Sequence, residues 1–206
     1  MKIPDRQHYP QEVEGSWLTV LLDSYAICDE ELEREISDEE KKRDTKVACT
    51  KGCCFCCLNQ DVPVTPPESL GISWYVSEVL EPSVRERLRE RLKDQAQTIG
   101  CPFLKDGACV IYPVRPLACR LFIVYRIQCR AEDEDPFFTR PEDMHPTNPD
   151  RNLRIAMRFL DSPVYNLSTK KEKIAAYQNG IMYKSIPGMH KIRWLGFIDA
   201  TEGMIF

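Results

Sequence analysis

The chain has 206 residues, 43% of them apolar, and sets 28 Lys and Arg against 32 Asp and Glu for a formal net charge of −4. That length suits one domain, residues 1–206, with its own hydrophobic core, and the acidic balance argues against a whole-chain basic footprint for nucleic acid or an anionic membrane. No run approaches the ~18 consecutive apolar residues of a membrane helix. Residues 1–8 are followed by no apolar stretch of the signal-peptide kind, so a cytoplasmic protein without membrane insertion is expected.

Taken from the N-terminus, the first 27 residues are polar and aromatic apart from one apolar patch, Trp17-Leu18-Thr19-Val20-Leu21-Leu22. Residues 28–46 are dominated by charge and read as a solvated helix or a mobile arm, with Ser37-Asp38-Glu39-Glu40 fitting a helix start. Thr65-Pro66-Pro67-Glu68 combines a Thr cap, Pro in the first turn and a carboxylate at the third helical position, which predicts a helix over 66–80. Pro82 opens a second predicted helix, 83–98, with Val84, Leu88 and Leu92 at helical spacing.

Gly100-Cys101-Pro102 ends that helix, and residues 103–112 read as a short hairpin turning at Asp106-Gly107. Residues 131–150 read as a long loop. Helices are expected over 152–160 and 169–183, and residues 192–198 read as a terminal strand. The expected fold is α+β, predominantly helical with few short strands. It is a small irregular domain organised around a cysteine-ligated metal centre, with a cluster core over 49–129 and a C-terminal extension over 146–206.

Ten cysteines stand at positions 28, 49, 53, 54, 56, 57, 101, 109, 119 and 129. In a reducing compartment such a density reads as metal binding or redox chemistry rather than a disulfide framework. Five of the ten fall within residues 49–57, a clustering that core packing does not require. If that stretch is helical, positions 49, 53 and 56 share a face, while Cys56 and Cys57 point roughly 100° apart. One tetrahedral ion is poorly served by both members of such a pair, so the doublet suggests two centres or one larger cluster. Cys101, Cys109, Cys119 and Cys129 are spaced as ligands delivered from successive loops. The resulting set is Cys49, Cys53, Cys56, Cys57, Cys101, Cys109, Cys119 and Cys129, enough for two four-thiolate sites. Cys28 reads as an ordinary thiol, and Cys54 competes with Cys53 for the register.

These residues carry a family resemblance. Cys49-x3-Cys53-x2-Cys56-Cys57, then Thr65-Pro66-x-Glu68, Cys101-Pro102-Phe103-Leu104, Gly107-x-Cys109-x-Ile111-Tyr112 and Arg115-Pro116-x-x-Cys119-Arg120 together resemble the YkgJ-type cysteine-cluster proteins. Those are zinc- or iron-chelating domains whose cluster the flagellin lysine N-methylases share. The resemblance covers residues 49–129 and implies a metal site. It implies little about a reaction.

Arg115 and Arg120 flank Cys119 and are read as cofactor-binding residues that neutralise an anionic cluster. Tyr112 reads as a core or hydrogen-bonding residue, and His8, His145 and His190 read as surface histidines. The compact all-thiolate block favours iron–sulfur, one or two 4Fe–4S clusters, with zinc as the alternative. The expected function is redox chemistry or electron transfer with a redox or protein partner. A metal-handling module without catalysis is the alternative. A second alternative is methyl transfer or radical chemistry with S-adenosylmethionine, because Cys49-x3-Cys53-x-Phe55-Cys56 matches the cysteine loop of radical S-adenosylmethionine enzymes.

Overall fold

The computed structural model describes residues 2–50, 53–59, 61–98, 100–130, 133–182 and 186–203. The predicted 169–183 helix ends early, at Gln178 with Asn179 as its C-cap, and position 183 lies outside the described residues. Nine α-helices and one hairpin are placed among them: α1 (Trp17–Arg43), α2 (Phe55–Asn59), α3 (Pro66–Trp74), α4 (Pro82–Lys93), β1 (Leu104–Lys105), β2 (Ala108–Cys109), α5 (Leu117–Leu121), α6 (Pro136–Thr139), α7 (Pro149–Phe159), α8 (Lys170–Gln178) and α9 (Trp194–Thr201). The fold is thus a small, irregular, mostly helical α+β domain.

The long helix α1 corrects the reading of residues 28–46 as an arm. Ser16 caps it by accepting from the Thr19 N–H, and three basic residues, Lys41, Lys42 and Arg43, complement the dipole of its last turn before Asp44 turns left-handed. Ser37 to Glu40 are interior to this helix and start nothing. The N-terminal half is buried almost all round: Trp17, Leu18, Val20 through Tyr25, Ile27, Cys28 and Leu32. The C-terminal half is charged, and Arg43 pairs with Glu39 one turn earlier. The apolar patch and the charge run are one element because a core helix leaving the core keeps its hydrogen bonds while its side chains turn to water.

Helix α1 packs on α7, α3 and α5. Its approach to α3 is close: a Cβ at Gly71 would collide with the Leu21 side chain. Helix α3 begins where Thr65 and Glu68 predict, but its last part, Tyr75–Val79, is a π-helical turn, and α4 gives way to a 3₁₀ turn at Gln95–Gln97. The predicted hairpin forms, with Asp106 (φ 50°) and Gly107 (φ 74°) both left-handed at the turn and Leu104 opposite Cys109.

The predicted terminal strand is instead helix α9. Trp194 and Ile198, four apart, are both buried, and α9 packs on α3 and α4. Trp194 meets Phe103 edge-on at 4.9 Å and donates its indole N–H to the Met189 carbonyl at 2.8 Å. Aromatic and branched residues mimic a strand here, and the helical burial spacing decides. The acidic stretch 131–150 is less of a loop than expected. It holds α6 and a 3₁₀ turn at Pro141–Asp143.

Backbone bridges replace a larger sheet. The Ala48 N–H donates to Val124 O at 2.8 Å, Tyr125 N–H to Asp143 O at 2.8 Å, and His145 N–H to Ile123 O at 2.9 Å. This seam lays residues 46–48, 123–126 and 143–145 side by side and fixes where Cys49 begins its segment.

Candidate metal centre

The cysteine block is not one helix. Helix α2 covers only Phe55–Asn59, so Cys56 and Cys57 are helical while Cys49, Cys53 and Cys54 lie on irregular backbone. The shared helical face expected for positions 49, 53 and 56 is therefore not formed, and the Cys53 N–H donates to Thr50 O at 2.9 Å.

An inner group of thiols forms where the hairpin and α5 meet α2. Gly100 is left-handed (φ 80°), and a Cβ there would come within 2.8 Å of Cys57 O. That glycine lets the chain press onto α2, so that the Cys101 N–H donates to Cys57 O at 2.5 Å. The hairpin then returns Cys109, and α5 supplies Cys119. Burial, and after it the neighbouring Cys109 and Cys56, push the Cys101 thiol up to about 12. Burial followed by Cys56, Cys101 and Cys109 raises Cys119 well above an ordinary thiol. Cys109 is raised by burial as well, and Cys56 chiefly by a hydrogen bond with the Cys57 thiol. Cys56 acts on the charge of Cys101, Cys109 and Cys119, of which Cys101 is in the core and the other two pack against it.

An outer group lies at the seam. Cys49 is exposed as a residue, but its sulfur turns in to accept the Val124 N–H at 3.4 Å. Cys53, Cys129 and Cys56 all act on its charge, and Cys53 acts on that of Cys129. The Arg140 guanidinium donates to the Cys129 sulfur at 3.2 Å. Cys54 does not figure in either group. Cys28 is fully buried in α1, and burial pushes its thiol up to about 12.

Backbone groups act on several of these sulfurs. Val124 is the one given by geometry, and the backbone of Phe103 and of Ile111 lowers the Cys101 and Cys109 thiols, each two residues before it, against burial. Each lowers the cost of a thiolate that burial otherwise raises. The donor set suits a thiophilic centre, zinc or iron–sulfur, and not a hard cation that takes oxygen ligands. Among the described residues, no three His, Cys, Asp or Glu side chains stand close enough to close a shell around one ion, so these groups are neighbourhoods rather than formed polyhedra.

Two of the residues expected to serve a cofactor are otherwise occupied. Arg120 is buried, donates to the carbonyls of Arg115 and Pro113, pairs with Asp29 and lies over the Tyr25 ring at 4.1 Å. Its guanidinium ties α1 to the segment before α5. Arg115 lies over the Tyr112 ring at 3.9 Å and donates to Tyr112 O at 3.1 Å. Tyr112 itself is 59% exposed, not a core residue. His145 is buried, against expectation, and shares hydrogen bonds with the Tyr125 hydroxyl (2.8 Å) and Glu35 (3.0 Å). His8 is exposed and His190 half-buried.

Two positioning contacts carry no sequence signal, that of Arg140 with Cys129 and that of Glu68 with Leu117. Arg140 reaches Cys129 across eleven residues and belongs to no motif. Glu68 closes the cap of α3 through the Thr65 N–H at 2.9 Å, and its other oxygen accepts the first amide of α5, Leu117 N–H, at 2.7 Å. This fully buried carboxylate therefore sets the position of the helix that carries Cys119.

A thiol-only donor set, an amide aimed at sulfur and a mostly helical scaffold define a cysteine-rich metal-binding domain. Residues 48–143 match the CxxCxxCC family model, described as "Putative zinc- or iron-chelating domain". That part of the chain, under half of its length, holds nine of the ten cysteines and Arg140 and is similar to this family. No curated protein and no solved structure matches the chain significantly. Among the described residues, no helix is long and apolar enough to cross a membrane.

Proposed function

We propose that the protein is an iron–sulfur protein of the cysteine-cluster family, acting in redox chemistry or electron transfer. The observation that carries this reading is the Val124 N–H aimed at the Cys49 sulfur, together with the burial of Cys101 and the packing of Cys109 and Cys119 against the core. Hydrogen bonds to ligand sulfurs, together with burial, are the means by which a protein tunes the potential of such a centre. Cys49, Cys53, Cys56, Cys57, Cys101, Cys109, Cys119 and Cys129 are the proposed ligands. When bound, the cluster supplies one-electron chemistry. The chain supplies the thiolates, the Val124 amide and a partly buried setting.

A zinc module without catalysis is the second reading, favoured by the four thiols of the inner group, since structural zinc takes closed four-thiolate sets. The radical reading finds less support. After the cysteine loop come helices and a two-stranded hairpin, not the long alternation of strands and helices that such enzymes build.

Anaerobic purification with iron, sulfide and zinc analysis and a visible spectrum tests the proposal. Brown protein absorbing near ~400 nm with iron and sulfide in similar amounts is expected. Colourless protein holding zinc alone would overturn the redox reading and leave the zinc module.

A further inference from the structure

Glu68 is 2% exposed and, among the described residues, has no ion-pair partner. Its Oε2 accepts the Thr65 N–H at 2.9 Å and the Thr65 hydroxyl at 2.7 Å, and its Oε1 accepts only the Leu117 N–H at 2.7 Å. An ionised carboxylate offers about four acceptor sites, so one on Oε1 is left over. Arg120 acts on the Glu68 charge, but its guanidinium is committed to Asp29 and to the carbonyls of Arg115 and Pro113. The same carboxylate borders a cavity of about 80 Å³ that opens toward solvent between the start of α3, α5 and α7. Pro63, Leu117, Ala118, Leu121 and Ile155 give it apolar walls, and Glu68 is the one charged group among the described residues that line it. A single water needs ~10–15 Å³ and a benzene ring occupies a cavity of ~150 Å³, so the space takes more than one water and less than a ring.

We propose that this cavity is a binding site for a small alkylammonium ion, with the alkyl chain against the apolar walls and the ammonium on Oε1 of Glu68. Three features select that ligand. The walls take hydrocarbon. The buried carboxylate takes a positive charge, because an unpaired buried charge is costly and a hydrogen-bonded counter-ion offsets the cost. The volume excludes a ring and suits a chain of about three to four carbons. A neutral alcohol of the same length would fill the walls and leave the charge unmatched. Burial is the largest influence on Glu68 and raises its pKa, the direction that a bound cation would reverse. Glu68 also closes the cap of α3 and holds the first amide of α5, so an occupant braces both helices through one carboxylate. No cysteine lines the cavity, and the site stands apart from the metal reading.

The test uses the full, metal-loaded chain and n-butylammonium chloride, with 1-butanol as the neutral counterpart and ammonium chloride as the one without a chain, all at equal ionic strength. Melting curves and titration calorimetry are the readouts. A saturable rise in melting temperature is expected with n-butylammonium at millimolar concentrations, the range a ligand of this size reaches, and none with the other two. Ala118→Leu fills the cavity and leaves Glu68 in place, so it should abolish the saturable rise while the circular dichroism spectrum and metal content stay as in wild type. Glu68→Gln, which removes the charge and keeps an acceptor, should weaken binding by about tenfold or more. No saturable response to n-butylammonium, an equal response to 1-butanol, or unaltered binding in either folded variant would overturn the inference. The comparison of the three solutes on wild type decides the matter even where a variant fails to fold. Metal content is measured separately, so failure here and failure of the metal reading are distinct.

Discussion

Val124 and Cys49 are 75 residues apart in the chain, and the Val124 amide donates to the Cys49 sulfur at 3.4 Å while its carbonyl accepts the Ala48 N–H at 2.8 Å. The same peptide strand thus fixes the backbone entering the cysteine block and the charge on the first sulfur in it. At Cys101 and Cys109 the backbone of Phe103 and Ile111, two residues on, works against burial in the same direction. Geometry of this kind makes sense of a region with little regular structure: the backbone is arranged around sulfur.

Metal loading should be a large share of stability. Cys119→Ser is expected to lower the melting temperature of loaded protein strongly and that of metal-free protein only slightly, because the lost free energy is that of binding. Melts of both forms, with metal content measured on the same samples, check this. Equal losses in the two forms would place Cys119 in packing rather than ligation.

Arg120 and Arg115, adjacent to the same cysteine, should behave differently. Arg120→Met removes donors from two carbonyls and the partner of the half-exposed Asp29, and is expected to cost about 2–3 kcal/mol, most of it from the buried carbonyls. Arg115→Met, whose contacts are local to Tyr112, should cost under about 1 kcal/mol. Urea unfolding of the two variants decides it.

Glu68→Ala should destabilise by roughly 2–4 kcal/mol, since the amides of Thr65 and Leu117 would be left without their acceptor. Because Leu117 begins α5, the variant should also weaken metal retention by the group containing Cys119. Glu68→Gln keeps one carbonyl oxygen and should fall between. Chemical denaturation with parallel metal analysis distinguishes the three.

Burial is the largest influence on His145 and holds its pKa below the usual histidine value, although Glu35 works in the opposite direction. In the unfolded chain this histidine titrates near ~6.5. As pH falls through that value the unfolded state takes up a proton that the folded state resists, so stability drops toward acid. The folded-state pKa is the depressed one, and the contribution of His145 is fully present above ~6.5. The denaturation midpoint is expected to decline between pH 7.5 and 5.5, and to decline less in His145→Gln. A parallel decline in both proteins would remove His145 as the cause.

Cys28 separates packing from ligation. It is fully buried among Tyr25, Leu32 and their neighbours in the core, so Cys28→Ala should leave metal content unchanged and cost about 1 kcal/mol or less. Metal analysis of the purified variant is sufficient; a loss of metal would add Cys28 to the ligands.

What the sequence carried by itself was local chemistry. Thr65 and Glu68 announce the start of α3, Asp106-Gly107 the hairpin, and the spacing of the cysteines a thiophilic centre, because caps, turns and ligand clusters depend on residues near one another in the chain. The seam that joins Cys49 to Val124, the grip of Arg140 on Cys129 and the second acceptor bond of Glu68 depend on residues brought together from distant positions, and no local pattern encodes them. The same reason explains the corrections. The charge run after Cys28 is helix because the apolar half before it is anchored in the core. Trp194 and Ile198 are helical because α3 and α4 offer them a surface at that spacing. Arg120 is a structural clamp because folding places Asp29 and Tyr25 beside it. Residue type supplied the chemistry, and only the packing of distant segments decided which groups are free to use it.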